Sequence, residues 1–171
     1  MIVKTLLRTL FIFVGTSLQV CLAQQLTLTD IKNYNPLSEQ LASAGMPSAD
    51  NLQTLKDNGF QHIINLIPGD YSEEKNQLAS LQMSFDQIEV DWNNPSLENF
   101  EDFTVLMKQY QGGKVLLHCQ MNYRASAFAY LHEVIQLGIE PEVAEKKMLS
   151  VWQPNETWSA FIKMVQENSS I

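Results

Sequence analysis

The segment from Val115 to Ser126 reads Val-Leu-Leu-His-Cys-Gln-Met-Asn-Tyr-Arg-Ala-Ser, and it decides the interpretation of the whole chain. Its apolar start, together with Lys114, follows Gly112-Gly113 and predicts a buried strand over residues 114–118. The residues from 124 to 137 predict a helix that ends at Gly138. The segment is therefore predicted to pass from a buried strand, through a short loop, into a helix.

A loop in this position is suited to holding an anion. Ligands of α/β sheets bind beyond the carboxyl ends of the strands, and a helix start offers free backbone N–H groups and the positive end of its dipole. The same field favours the thiolate form of Cys119, which is the form that attacks phosphorus or sulfur. Arg124 adds a planar, permanently charged fork that suits oxyanions.

Strands and helices are predicted to alternate outside this segment. Two further strands are expected at His62–Ile67 and Phe85–Val90, and the stretch from Gln24 to Ser43 is weakly patterned. Helices are expected at 48–59, 72–82, 96–110, 141–152 and 155–166. This order predicts an α/β fold, a three-layer sandwich with a central, mostly parallel sheet.

The first 23 residues have the pattern of a cleaved secretory signal. Lys4 and Arg8 precede an apolar stretch, and small Ala23 ends it. The uncharged stretch is too short to span a membrane, so no lasting membrane insertion is expected. The remaining residues, 24–171, are expected to form a single domain in the periplasm or outside the cell.

Charge and cysteine content narrow the function further. Removing Lys4 and Arg8 with the leader changes the net charge from −8 to −10, which argues against nucleic acid as a partner. Cys119 is then the one remaining cysteine, and neither His62 nor His132 has a neighbour at metal-ligand spacing. We therefore expect no metal and no cofactor. The oligomeric state is left open.

The motif around Cys119 resembles the signature of the cysteine-dependent protein phosphatases, in which a His-Cys pair is followed by a short loop and an Arg. The resemblance is greatest to the bacterial dual-specificity-like branch that includes the phosphatase-like domain of beta-lactamase-hydrolase-like proteins. The resemblance covers residues 40–138. Before the loop, it includes Ala44-Gly45-Met46-Pro47-Ser48, Leu52, Leu55, Gly59 and Ile63-Ile64-Asn65-Leu66.

The resemblance implies a role for each residue of the motif. Cys119 is the nucleophile that forms a phosphocysteine, and Arg124 binds the phosphoryl oxygens. His118 sets the surroundings of the thiol. The phosphate-binding loop is completed by the main chain of Gln120, Met121, Asn122 and Tyr123 and by the hydroxyl of Ser126.

The loop departs from the familiar signature in three ways. Four residues, and not five, separate Cys119 from Arg124, a length also seen in rhodanese-like sulfurtransferases. Asn122 stands where a loop glycine is usual, and Asn tolerates the left-handed backbone that such a position needs. Ala125 displaces the hydroxyl residue to Ser126.

Ester hydrolysis also needs a proton donor for the leaving oxygen. Asp91 follows the second predicted strand and resembles by position the acid of these phosphatases; its alternative role is to form a turn. Asp86, Glu89 and Asp70 are weaker candidates.

The sequence therefore predicts an exported cysteine phosphatase that acts on a phosphomonoester, either a phosphorylated small molecule or a protein. Two alternatives stay open: a sulfurtransferase that carries a Cys119 persulfide, and an inactive anion-binding module.

Overall fold

The computed structural model describes residues 26–169, and a five-stranded sheet lies at its centre. The strands are β1 (Asn35–Pro36), β2 (Leu41–Ala44), β3 (His62–Asn65), β4 (Ser84–Gln87) and β5 (Val115–His118). Their spatial order is β1-β2-β5-β3-β4. Only the pairing of β1 with β2 is antiparallel, so the sheet is mostly parallel, as predicted.

The strand that carries the motif lies in the middle of this sheet. His118, at the end of β5, is level with Ala44 of β2 and with Asn65 of β3. The carboxyl ends of three neighbouring parallel strands therefore meet at His118, and the loop that follows it begins at the edge where ligands of such sheets bind.

Six helices cover the sheet: α1 (Ala49–Asp57), α2 (Ser72–Ser80), α3 (Leu97–Gln109), α4 (Tyr123–Ile135), α5 (Pro141–Leu149) and α6 (Glu156–Ser169). The helix starts have local causes. Ser48 and Ser96 accept N–H bonds at the starts of α1 and α3, and Pro141 occupies the first turn of α5.

Side chains of successive strand residues point to opposite faces, and each face has its own core. Ile63 and Leu116 pack with residues of α1 and α2, such as Leu52 and Leu78. On the other face, the core joins residues of α3, α4, α5 and α6, and it includes Ile64, Leu117, Phe103, Phe128 and Trp158. The predicted three-layer α/β sandwich is thus confirmed.

The main error of the sequence analysis lies before residue 45. The weakly patterned stretch contains β1 and β2, and β2 pairs directly with β5. The small residues Ala42, Ser43 and Ala44 give no strand signal in the sequence, yet all four residues of β2 are buried because helices pack on both faces.

Several predicted elements are longer or shorter than the observed ones. The strand expected at Phe85–Val90 is Ser84–Gln87, and Ile88 to Val90 continue beyond the ladder. The predicted leader, residues 1–23, lies outside the described residues. Within residues 26–169, no helix has both the length and the apolar character that a membrane crossing requires.

Candidate active site

Cys119 lies directly beyond β5, at the carboxyl edge of the sheet. The residue is almost completely buried, and its amide donates a 3.3 Å hydrogen bond to the carbonyl of Ala44. Its thiol is free. The strand and its neighbour β2 therefore fix the backbone of Cys119 before the loop begins.

The carbonyl groups of the Cys119–Arg124 loop are held by residues from the first part of the chain. The amide of Met46 donates to the carbonyl of Gln120 at 3.4 Å, and Nδ2 of Asn33 donates to the carbonyl of Met121 at 2.9 Å. Gly45 and Met121 form an antiparallel bridge, which turns the amide of Asn122 toward β2. Among the described residues, no hydrogen bond is found for the amides of residues 120, 121 and 123–125. These N–H groups are available for an anion, as expected for a loop that opens a helix.

Asn122 has the left-handed backbone that the sequence predicted for it, with φ of 69°. The residue precedes α4 and is completely buried. Its Nδ2 donates a 2.7 Å hydrogen bond to the carbonyl of Asn33, while the side chain of Asn33 holds Met121. This reciprocal contact, which we call the Asn33–Asn122 clasp, attaches the residues before β1 to the loop.

Arg124 occupies the first turn of α4 and has no anionic partner in the part of the chain that the structure describes. Its Nε is buried without a hydrogen-bond partner, and the guanidinium carbon lies 5.7 Å from the centre of the Trp92 ring. None of the ion pairs within residues 26–169 includes Arg124. Arg124 as a whole is half-buried, but an unpaired buried N–H group is costly, and an oxyanion would supply the missing partner.

Cys119 and Arg124 line the same cavity, which has a volume of about 220 Å³. Its other lining residues are Trp92, Gln120, Met121 and Tyr123. Tyr123 stacks on Trp152 with ring centres 4.9 Å apart, and Trp92 packs against Trp152 at 5.5 Å. The cavity therefore combines a thiol, one cation and an aromatic wall.

Asp91 and Ser126 are near the cavity in sequence but do not line it. Asp91 is exposed, and its Oδ1 accepts N–H bonds from Asn93 at 2.7 Å and Asn94 at 3.0 Å, which forms a turn. The hydroxyl of Ser126 donates to the carbonyl of Tyr123 and accepts from Nε1 of Trp152. The structure thus brings Cys119, Arg124 and the loop residues together, while these two side chains have other partners.

Behind the loop lies a buried polar group that the sequence analysis did not single out. His118 is fully buried, and its Nε2 lies 3.0 Å from Oε1 of Glu74. This is ion-pair distance, although the direction of the contact does not satisfy hydrogen-bond geometry. Nδ2 of Asn65 donates to Oε2 of Glu74 at 3.0 Å. The sequence could have indicated that Glu74 is buried, because Glu74 lies four residues before apolar Leu78 and so on the same face of the helix.

Tyr71 lies in the electrostatic field of this group. Burial raises the pKa of its phenol, the Glu74 carboxylate raises it further, and the charge of Arg124 opposes both effects.

No cluster of three His, Cys, Asp or Glu side chains suited to a metal occurs within the described part of the chain.

No protein-family model matches this sequence. No curated protein matches it either. Solved structures do. A DUF442 protein from Shewanella putrefaciens CN-32, named as a phosphatase, is 34% identical and has a TM-score of 0.75, with 83% of this chain and 96% of that chain covered.

Two more distant structures share the fold. TpbA of P. aeruginosa is 17% identical with a TM-score of 0.64, over 86% of this chain and 96% of that chain. The catalytic domain of SIW14 from S. cerevisiae, named as a PP-IP phosphatase, is also 17% identical and has a TM-score of 0.66. The match covers 82% of this chain and 92% of that chain.

The resemblance seen in the motif is thereby confirmed. The identity and coverage of the Shewanella protein, together with the fold, show that this chain belongs to the DUF442 family within the cysteine-based protein tyrosine phosphatase-like superfamily.

Proposed function

We propose that this protein is a cysteine-nucleophile phosphatase that hydrolyses a phosphomonoester through a phosphocysteine intermediate. The observation that carries the proposal is the cavity in which the buried thiol of Cys119, the unpaired guanidinium of Arg124 and the free loop amides converge. The related structures are phosphatases of the same superfamily, which supports this chemistry.

The proposed reaction has two steps. Sγ of Cys119 attacks phosphorus, so that an S–P bond forms while the ester P–O bond breaks. Arg124 and the loop amides neutralise the negative charge of the transition state. Water then attacks phosphorus, the S–P bond breaks, and inorganic phosphate leaves as the thiolate is restored.

Asp91 is our proposed proton donor to the leaving oxygen. The carboxylate is exposed and belongs to the same loop as Trp92, which lines the cavity. In this structure its Oδ1 forms a turn. A role in proton transfer therefore requires the second oxygen or a movement of the loop.

The cavity favours a substrate with one phosphate group and an apolar or aromatic neighbour to it. Arg124 is the one cationic side chain among its lining residues, whereas Trp92, Met121 and Tyr123 form an apolar wall. A ligand with several phosphates would require several cations. We also propose that the protein acts outside the cytoplasm, as the leader predicts, and that its substrate is a phosphorylated small molecule or protein.

Hydrolysis of a generic aryl phosphate by the reduced protein tests the proposal. We expect wild-type activity, a loss of at least about a thousandfold in Cys119→Ser, and a large loss in Arg124→Lys, which keeps the charge but not the planar fork. Sulfur transfer from thiosulfate to cyanide is measured in parallel, because the four-residue spacing also suits a persulfide. Sulfur transfer without hydrolysis would replace the proposal, and inactivity in both assays with retained phosphate binding would indicate a binding module.

A further inference from the structure

The Asn33–Asn122 clasp fixes one peptide plane in the middle of the loop. The carbonyl of Met121 and the amide of Asn122 belong to the same planar, trans peptide, so they point in opposite directions. Nδ2 of Asn33 holds the carbonyl at 2.9 Å, and the bridge between Gly45 and Met121 turns the amide toward β2. This peptide is therefore held from both sides, and Asn33 is its support on the side away from the sheet.

The peptides on either side of it are oriented in the same way. The carbonyl of Gln120 accepts a 3.4 Å hydrogen bond from the amide of Met46, and the carbonyl of Asn122 accepts one of 2.9 Å from the amide of Ser126. The amides at the other ends of these two peptides, those of Met121 and Tyr123, therefore point away from these donors. The Met121–Asn122 peptide joins them, so its plane sets how these two N–H groups lie relative to each other.

Asn33 is itself held in an uncommon conformation. It is exposed, yet its backbone is left-handed with φ of 48°, which is unfavourable for residues that have a side chain. Such a conformation persists only where neighbouring contacts fix it. Here the preceding Lys32 accepts a 2.7 Å hydrogen bond from the amide of Gly45, and Ile31 is buried in the core. The strained residue is thus anchored beside the loop, where its side chain reaches Met121.

We propose that Asn33 is a positioning residue that keeps the loop in its anion-binding conformation before an anion arrives. It acts through the Met121–Asn122 peptide, since its own side chain is not among those that line the cavity. The inference rests on the phosphatase proposed above, and it adds a residue from the segment before β1 that sets the affinity for the phosphoryl group. Donors that are already oriented need no rearrangement on binding, so loss of Asn33 should weaken that affinity.

Two substitutions separate the side chain of Asn33 from its backbone. Asn33→Gly adopts the left-handed backbone freely and keeps the carbonyl that Asn122 binds, so it removes only the donor to Met121. Asn33→Asp keeps the shape of the side chain but places an acceptor opposite the Met121 carbonyl.

Inorganic phosphate is titrated into the reduced protein, and the backbone amide NMR signals of residues 120–125 report its binding. We expect the dissociation constant for phosphate to rise about fivefold in Asn33→Gly and at least about tenfold in Asn33→Asp. The melting temperature of Asn33→Gly should change little, because relief of the strained backbone offsets the lost hydrogen bond. Weaker phosphate binding at an unchanged melting temperature is a result that a merely structural role would not produce.

Gln82→Gly is the matched control. Gln82 is also exposed and left-handed, with φ of 56°, but it follows α2 and has no side-chain contact with the loop. Its replacement should leave phosphate binding unchanged. An unchanged dissociation constant in both Asn33 variants, or an equal rise in Gln82→Gly, would overturn the proposal. Absence of phosphate binding in the wild type would overturn it as well, because the loop would then hold no anion.

The wild-type protein provides a test that needs no variant. The coupling between the amide and Hα protons of Asn122 reports its backbone angle, and we expect the left-handed value in protein free of phosphate. A left-handed Asn122 that forms only after phosphate is added would show that the loop is not held ready.

Hydrolysis of an aryl phosphate separates the two proposals. If the aryl phosphate is not hydrolysed but Asn33→Asp still weakens phosphate binding, the phosphatase proposal fails and the positioning role of Asn33 stands. If hydrolysis depends on Cys119 while phosphate binding and KM are unchanged in both Asn33 variants, the positioning role fails and the phosphatase proposal stands.

Discussion

Asn122 combines two demands on a single side chain. Its backbone is left-handed, a conformation that costs most residues about 1–2 kcal/mol and that glycine adopts freely. Its Nδ2 also forms half of the Asn33–Asn122 clasp. Asn is therefore the substitute for the usual glycine that can both adopt the turn and hold the neighbouring segment.

We expect Asn122→Gly and Asn122→Ala to separate these demands. Gly keeps the turn and loses only the hydrogen bond, so it should lower the free energy of unfolding by about 1 kcal/mol. Ala adds the cost of the left-handed backbone and should also weaken binding of inorganic phosphate. Urea denaturation and phosphate inhibition constants check this expectation. Equal effects of both substitutions would mean that backbone strain is unimportant at this residue.

The proposed role of Asp91 as proton donor can be tested separately from its role in the turn, because Asn preserves the turn. The Oδ1 of an Asn accepts the same N–H bonds from Asn93 and Asn94, so Asp91→Asn should keep the turn and the melting temperature. If Asp91 is the acid, hydrolysis of an alkyl phosphate should fall by about a hundredfold or more. An aryl phosphate with a good leaving group should be affected much less. If Asp91→Asn hydrolysed the alkyl phosphate and the aryl phosphate as fast as the wild type does, Asp91 would be excluded as the proton donor.

At the scale of elements, β2 is the support of the loop. Gly45 follows this strand, and a Cβ at this position would lie 3.0 Å from both Cβ and the carbonyl oxygen of Lys32, and 3.2 Å from the carbonyl oxygen of Gln120. The close approach, and not an unusual backbone angle, requires glycine here. Any larger residue would push two backbone segments apart, one of which belongs to the loop.

Gly45→Ala should therefore impair both stability and the site. We expect a loss of about 1–3 kcal/mol in the free energy of unfolding and weaker inhibition by phosphate. Gly113→Ala is the matched control: its Cβ would meet the His62 side chain at 2.4 Å, at the opposite end of the sheet. Both variants should lose stability, and only Gly45→Ala should change phosphate binding. Normal phosphate inhibition of Gly45→Ala would refute this link between β2 and the loop.

At the scale of the whole molecule, a buried histidine of the helical layer contributes to the pH dependence of stability. His132 of α4 packs against Phe103 of α3 with ring centres 5.7 Å apart, and its Nδ1 is buried without a partner in the described part of the chain. Desolvation by burial lowers the pKa of His132 to about 4. The folded protein thus keeps this ring neutral where the unfolded chain would protonate it.

Because the pKa of His132 is 6.5 in the unfolded chain and about 4 in the folded protein, we expect the stability of the fold to be sensitive to acid between these pH values. As the pH falls through this range, the unfolded state binds the proton and the folded state does not, so stability decreases. The contribution of His132 between pH 7 and pH 5 is about 2 kcal/mol. Urea denaturation at both pH values should show that the free energy of unfolding decreases less between pH 7 and pH 5 in His132→Gln than in the wild type. The pKa of His62 is also lowered by burial, against the opposing charge of Asp86, so His62→Gln is a useful comparison. If the free energy of unfolding of His132→Gln decreased as much as that of the wild type, other groups would control the pH dependence.

The residues of the motif were predictable because their arrangement is local. A buried strand, a short loop and a helix follow one another from Val115 onward, and this order alone places Cys119, the loop amides and Arg124 at the same edge of the sheet. The left-handed Asn122 was predictable for the same reason, since a tight turn next to a helix restricts the backbone. The alternation of strands and helices determined the three-layer fold.

Only the tertiary structure decided which distant residues support the loop. Asn33 contacts Met121 across 88 positions of the chain, and Glu74 reaches His118 from a helix on another part of the sheet. The strand β2 has no apolar alternation, and it became a strand because two helical layers bury both of its faces. Such contacts depend on how the elements pack, and a local pattern carries no information about them. The sequence thus determined the strand, loop and helix that carry Cys119 and Arg124, and packing determined the buried contact between Glu74 and His118.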